Sequence, residues 1–361
     1  MKGSFFNIWC LIFLLIPFGI RASESHEDSA EEEFNVNEVI MDHIKDSYEW
    51  HILDYKKDGE THPLSIPFPV ILIGNGQFDV FLASKFHHGA HHVVKGSNEY
   101  ILHHGKIYFA DESGKISYAT NEKGEEVVVN DKPVDLSITK NVVGIFIVAL
   151  LMLWIFISVA NSYKKRPGRP AGLQALMEPI ILFVKNDLVV PNIGEHKVEK
   201  YLPYLLTVFF FILFCNLLGL VPFFLGGANI TGNIAVTFTL ALFTMVFINV
   251  FANRNYWKHI FSTPGVPVWL YPIMIPVELI GIIIKPFALM IRLFANITAG
   301  HIIVLSLVSI IFIFKSAVMA SVAVPLGLFM SVLEILVAFL QAYVFTLLSA
   351  LFIGMSVQEE H

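Results

Sequence analysis

The sequence predicts an all-α polytopic membrane protein preceded by a small β-rich extracytoplasmic domain. Three observations lead there. The chain is 55% hydrophobic over 361 residues, with a mean hydropathy of +0.65, too apolar for one soluble domain. Its charge is split: residues 23–140 carry 22 Asp and Glu against 10 Lys and Arg, whereas residues 141–361 carry 8 against 12. Apolar runs of membrane-spanning length are confined to that second part. Ten of the 14 histidines precede residue 105, so an acidic, His-rich aqueous part is followed by a membrane part.

Residues 1–22 read as a secretory signal peptide, with Lys2, an apolar run over residues 8–20, and Ile20-Arg21-Ala22 before an acidic stretch. An apolar run of that length, containing Pro17 and Gly19, is short for a span, so cleavage after Ala22 is expected. Residues 23–140 form the expected extracytoplasmic domain. Its acidic start, residues 23–33, has the composition of a disordered segment. Over residues 35–52 the spacing of Val36, Val39, Ile40, Ile44 and Tyr48 predicts a short amphipathic helix. Beyond Pro63 come β-like runs at residues 68–73, 78–82, 100–102, 106–109, 115–119 and 125–129, punctuated by Gly and Asn as in hairpins. Cys10 and Cys215 are the only cysteines, and Cys10 lies in the segment expected to be removed. That excludes a disulfide framework and thiol metal chemistry.

Residues 141–361 form the expected membrane domain, with about five transmembrane helices and one interfacial helix. The apolar run over residues 141–160 is followed at once by Lys164-Lys165-Arg166 and Arg169, which sets that loop in the cytoplasm and residues 23–140 outside. Residues 173–190 have helical spacing broken by Gln174, Glu178, Lys185 and Asp187, as in a helix lying in the interface. Residues 202–225 cross outward and residues 230–251 return, to Arg254, Lys258 and His259. The last two segments, residues 268–314 and 317–357, are far longer than a ~30 Å core requires and so must tilt or break. No internal repeat is visible, which argues against inverted-repeat transporters.

Arg292 is the residue that points to chemistry. Its guanidinium keeps its charge at every accessible pH, and a mid-helix Arg costs roughly 2.5–3.5 kcal/mol on insertion scales. Glu278, Lys285 and Arg292 are spaced seven apart, nearly two turns, so they share a helix face. That stripe reads as the wall of an aqueous path; the alternative is that Glu278 simply neutralises Lys285 near the surface. Glu334 and Gln341 are likewise seven apart. Glu334, flanked by Val332, Leu333, Ile335 and Leu336, must be protonated or partnered. His301 titrates near neutrality when unperturbed, and a lone His in an apolar helix reads either as a proton-carrying group or as a satisfied core residue.

Arg292-Leu-Phe-x-Asn296-x-x-Ala-Gly300, with Leu340-Gln341-Ala342-Tyr343-Val344-Phe345 near the C-terminus, resembles subunit a of the F-type ATP synthase over residues 141–361. The resemblance implies a non-catalytic, proton-conducting stator in a bacterial inner membrane. It implies a periplasmic N-terminal domain and a cytoplasmic C-terminus. The implied partners are a rotor c-ring, the subunit b stalk, the rest of the complex and membrane lipid, with no nucleic acid and no cofactor. Arg292 falls on the essential arginine and Gln341 beside it, with Asn296 on a polar channel-lining position and Glu278 on the cytoplasmic half-channel. His301 and Glu334 are exchanged relative to some bacterial members, as in mitochondrial forms, which implies that they are neighbours in the outer half-channel. The long N-terminal region departs from most members and resembles the Bacteroidota form.

Two further patterns have more than one reading. His87-His88-Gly-Ala-His91-His92 and His103-His104 are a metal site, a solvated loop or a proton-collecting surface, and the spacing matches no closed metal site. A metal-ion transporter with such a collector would show paired intramembrane His and carboxylates in repeated halves, and the fixed cation at Arg292 opposes it. Asn229-Ile-Thr231 and Asn296-Ile-Thr298 match the glycosylation pattern incidentally, one in a short turn and one within a helix.

Overall fold

The computed structural model describes residues 45–57, 60–89, 92–95, 98–111, 114–120, 126–165, 170–221, 228–261, 267–314 and 316–357. The signal peptide, the acidic run and most of the helix expected over residues 35–52 lie outside the described residues. Alternating apolar residues build the aqueous part from antiparallel hairpins. Strand β1 (Glu49–Lys57) pairs with β2 (Glu60–Pro67). Strand β3 (Pro69–Gly74) pairs with β4 (Gln77–Leu82), and β10 (Val134–Asp135) adds to the other edge of β3. A second three-stranded sheet joins β5 (His92–Lys95), β6 (Asn98–His103) and β7 (Lys106–Phe109). Strands β8 (Tyr118–Thr120) and β9 (Glu126–Val128) form a separate ribbon. The β3–β4 turn, Asn75-Gly76, has φ of 52° and 74°, the double positive φ of a type I′ hairpin. His104-Gly105 repeats that geometry between β6 and β7.

Val70 and Leu72 on β3, Phe81 on β4, and Tyr100 and Ile107 form the buried core of this part. Its polar centre is satisfied: the Tyr100 hydroxyl donates to Asp79 Oδ2 at 2.8 Å. The helix expected as far as residue 52 is corrected by the structure, because residues 49–52 belong to β1. Trp50 packs edge-on against Phe68 with ring centroids 6.2 Å apart, and pairing with β2 overrides the helical spacing. Strand β2 escaped the sequence pattern because it holds Pro63 and Pro67, and β10 because it is only two residues long.

The sheet part is tied to the first membrane helix, α1 (Lys140–Lys165). Asp46 Oδ1 accepts from the Asn141 backbone N–H at 3.1 Å and Oδ2 from Thr139 Oγ1 at 2.7 Å. A carboxylate here satisfies an otherwise unpaired helix-start N–H and faces the positive end of the helix dipole. Next come α2 (Leu173–Phe183), a π-turn (Val184–Val189) and the short α3 (Val190–Ile193), where a single interfacial helix was expected.

Helix α4 (Val198–Gly219) is the centre of the membrane core, with Leu205, Phe209, Phe210 and Ile212 fully buried. Helix α5 (Ile234–Val250) is followed by α6 (Arg254–Phe261) at a bend of 98°. Helices α7 (Tyr271–Phe314) and α8 (Ala317–Val357) are each continuous, through Pro276 and Pro286 in α7 and Pro325 in α8. At ~1.5 Å per residue they are roughly 66 and 62 Å long. Among the described residues four helices have the length and apolar content to cross a membrane, and five if α5 and α6 make one span.

The last carbonyls of α8 are capped from elsewhere. Lys197 Nζ and Asn253 Nδ2 both donate to the Val357 carbonyl, at 2.7 and 2.8 Å, and the Asn253 N–H donates to Ser356 O at 2.8 Å. One turn earlier, Gly354 lies so close to the Asn192 carbonyl that a Cβ there would overlap it. The end of α8 is thereby clamped against α3 and the start of α4.

Candidate functional site

Helices α7 and α8 run antiparallel and in contact, which brings widely separated sequence positions together. Gln341 on α8 is buried, and its Nε2 donates to the backbone carbonyl of Arg292 at 3.3 Å. Nine residues further along α7 and seven back along α8, His301 Nδ1 lies 3.4 Å from Glu334 Oε1. The two contacts are rungs of one interface, roughly 10–14 Å apart along the axis. Steps of similar size in opposite directions are what antiparallel packing demands.

Arg292 itself is exposed, and Asn296, one turn on, is exposed on the same side. Around them the outward surface is apolar: Phe287 and Ile291 on α7, and Val332, Ile335, Leu336 and Leu340 on α8. The pair formed by His301 and Glu334 turns inward instead, with side chains 20% and 9% exposed. Gly300 makes the approach possible, since a Cβ there would stand 2.9 Å from Glu334 Oε1. The ion contact is long for a hydrogen bond, and Glu334 Oε1 has no hydrogen-bond partner among the described residues.

Glu278 and Lys285 stand apart from this group. Among the described residues no ion pair joins them, so direct neutralisation of Lys285 by Glu278 is not what the structure contains. Lys285 Nζ lies 5.5 Å above the ring of Phe352, in a pocket that also includes Asn249 and Tyr256. Thus the structure brings together Arg292 with Gln341, and His301 with Glu334. It leaves Asn296 on the outer face and Lys285 at another pocket, toward the opposite end of α7.

Sequence reasoning missed the polar wall opposite His301. A crevice there is lined by Asn216 and Gly219 of α4, Asn229 and Thr231 of the turn before α5, and His301 and Glu334. Thr231 Oγ1 donates to Asn216 Oδ1 at 2.6 Å, and Asn216 Nδ2 donates to the Ala338 carbonyl at 3.3 Å. Asn229 is buried with neither end of its amide paired among the described residues. An unpaired buried polar group costs about 1–3 kcal/mol. The signal was available: Asn216 is a lone polar side chain within Phe-Phe-Phe-Ile-Leu-Phe-Cys-Asn-Leu-Leu, the same kind of anomaly as Arg292. Asn229 and Thr231 carry no such signal, because in the sequence they match only an incidental glycosylation pattern.

Of the His-rich stretch, the side chains of His87, His88, His91 and His92 lie outside what the structure describes. His103 Nε2 is 3.2 Å from the Tyr118 hydroxyl, and its ring stacks edge-on to His104. Among the described residues no group of three or more His, Cys, Asp or Glu is placed to hold a metal ion.

Fold and site together define a polytopic membrane protein whose two longest helices carry ionisable residues at their interface and a cation on their outer face. Comparison with known proteins gives that class a family. The profile of the ATP synthase A chain family matches residues 142–354, so the chain belongs to this family. A domain of unknown function, DUF8433, matches residues 39–136. ATP synthase subunit a of Chloroherpeton thalassium is 50% identical over 233 residues, 63% of this chain and 68% of the relative. That of Chlorobium phaeobacteroides is 45% identical over 293 residues, 77% of this chain and 82% of the relative. That of Myxococcus xanthus is 46% identical over 256 residues, 69% and 82% of the two chains.

Proposed function

We infer that this chain is the non-catalytic stator subunit of a proton-translocating ATP synthase, and that it carries protons past a ring of rotor carboxyls. One observation carries the reading: a guanidinium exposed on a helix face that is apolar apart from Asn296, with its backbone held by a buried glutamine. A charge of that kind in a membrane needs a counter-charge, and an apolar face needs apolar neighbours. Ring helices that each carry one carboxyl supply both.

The mechanism follows from electrostatics. A rotor carboxyl reaching Arg292 is favoured in its ionised form; at ~4 Å and an effective dielectric of ~20 the attraction is about 4 kcal/mol before desolvation is subtracted. Its proton leaves through an inner half-channel near Glu278 and Lys285. The next carboxyl is protonated from the outer side through His301 and Glu334, and only when neutral does it turn into lipid. Asn296, on the Arg292 face, offers a polar contact along that route, while Arg292 repels protons from a direct passage between the two halves. Each proton crossing ~100 mV contributes about 2.3 kcal/mol, so several are summed per ATP.

The resemblance of residues 141–361 to subunit a supports a c-ring and a subunit b stalk as partners, with the C-terminus cytoplasmic. The basic cluster at Lys164 and Lys165, at the far end of α1 from the sheet part, supports a periplasmic location for the latter in a bacterial inner membrane. The test is ATP-driven proton pumping in inverted vesicles. Arg292→Ala is expected to abolish pumping while the complex still assembles; pumping at the wild-type rate would refute the stator reading.

A further inference from the structure

Two side chains with unpaired polar ends, Asn229 and Glu334, line the crevice beside His301. Asn229 is only 5% exposed, and both its amide oxygen and its amide nitrogen lack a hydrogen-bond partner among the described residues. Glu334 lines the same crevice, and its buried Oε1 has no hydrogen-bond partner among the described residues, lying 3.4 Å from His301 Nδ1. The neighbouring polar groups show that this turn satisfies side chains where packing alone is at stake. Thr231 and Asn216 are joined at 2.6 Å, and Asn216 reaches on to the Ala338 carbonyl.

Both unpaired groups are flanked by glycine. A Cβ at Gly300 would stand 2.9 Å from Glu334 Oε1, and a Cβ at Gly232 would overlap the Asn229 amide. A third glycine, Gly219, faces His301, where a Cβ would lie 3.9 Å from Nε2. The missing methyl groups at Gly232 and Gly300 let the Asn229 amide and the Glu334 carboxyl lie directly against the glycine backbone.

Resting on the proton-path reading above, we propose that Asn229 is the second hydrogen-bond partner of Glu334, so that the carboxyl alternates between His301 and the Asn229 amide as it takes up and passes on a proton. An amide suits both protonation states without titrating. Its N–H donates to the ionised carboxylate, and its carbonyl accepts the O–H of the protonated acid. The proton leaves an N–H of protonated His301, bonds to a Glu334 oxygen, and later leaves that oxygen for the next acceptor toward Arg292. Asn229 gains and loses none, so it is a positioning residue. Two buried polar ends left unpaired in one state are paired with each other in the next.

The test uses the assembled ATP synthase in liposomes, read by ATP-driven proton pumping and by infrared difference spectroscopy. The carboxyl stretch of Glu334 is identified by its loss in Glu334→Gln. Asn229→Leu is expected to slow pumping roughly three- to tenfold, the effect of one missing hydrogen bond, and to move the Glu334 band to the higher frequency of an unbonded carboxyl. Asn229→Ser, which keeps a donor and an acceptor, is expected to recover part of both. Asn229→Ala gives the same reading as the Leu variant should the latter fail to assemble. A Glu334 band that stays in place in Asn229→Leu overturns the proposal, as does pumping at the wild-type rate. Normal pumping by Arg292→Ala in the same vesicles would identify a failure of the stator reading itself, which the band position does not depend on.

Discussion

Replacing Gly300 by Ala sets two effects of opposite sign against each other. In a helix interior Ala is favoured over Gly by about 1 kcal/mol, so by propensity alone α7 gains stability. The new methyl, however, would stand 2.9 Å from Glu334 Oε1, 3.3 Å from Cδ and 3.4 Å from Cγ. Ordinary contact begins near 3.4 Å, so the carboxyl must retreat by roughly 0.5 Å. Directed away from α7, that retreat stretches the 3.4 Å contact with His301 to about 3.9 Å. A misplacement of ~1 Å at a reacting group costs on the order of a hundredfold in rate, so half of that predicts about a tenfold loss. ATP-driven proton pumping by the assembled complex measures the rate, and thermal unfolding of the purified complex measures the stability. The expected result is unchanged or raised stability with pumping about tenfold slower. Wild-type pumping with wild-type stability would mean that the closeness of Glu334 to the α7 backbone has no part in proton transfer.

Two further predictions concern the ends of the molecule. Lys197→Met removes a charged donor from the last carbonyl of α8 while keeping the aliphatic stem; a loss of roughly 1.5–3 kcal/mol is expected, seen as earlier proteolytic cleavage within α8 when the complex is heated. In the sheet part, burial and then the hydrogen bond to Asp79 push the Tyr100 hydroxyl up to about 12. Burial and then Asp135 raise Tyr48 as well. The folded state therefore holds these protons more tightly than the unfolded chain, where tyrosine titrates near ~10. Their contribution to stability is complete below pH ~10 and falls as pH rises from there through about 12 for Tyr100. Tyrosinate absorbance and near-UV circular dichroism during alkaline titration check this, with loss of dichroism expected to accompany the last tyrosines to ionise.

Much of the architecture is written in local composition. Apolar runs of membrane length, the basic cluster after α1 and the fixed charge at Arg292 are each interpretable one segment at a time, because insertion into a bilayer is decided by the transfer energy of that segment. The length of α7 and α8 was likewise legible, and both are continuous helices through their prolines. In the aqueous part the strongly alternating strands β3, β4, β6 and β7 were evident. The start of strand β1 has the spacing of a helix end, because its place in a sheet depends on pairing with β2 and that contact is not encoded in its own spacing.

For the site, the sequence alone determined which residues are anomalous: Glu278, Lys285, Arg292, His301, Glu334 and Gln341 are ionisable or polar where apolar residues belong. It did not determine which of them meet. That His301 reaches Glu334 while Gln341 holds the Arg292 backbone is set by the antiparallel register of α7 and α8. That Lys285 turns to Phe352 instead of Glu278 is set by the pocket beside α5 and α6. The orphaned amide of Asn229 and the glycines around it exist only in the packed molecule. The cost of a charge in a membrane belongs to a single residue and can be read from a string. Whether a polar group finds a partner belongs to a pair, and pairs are made by the fold.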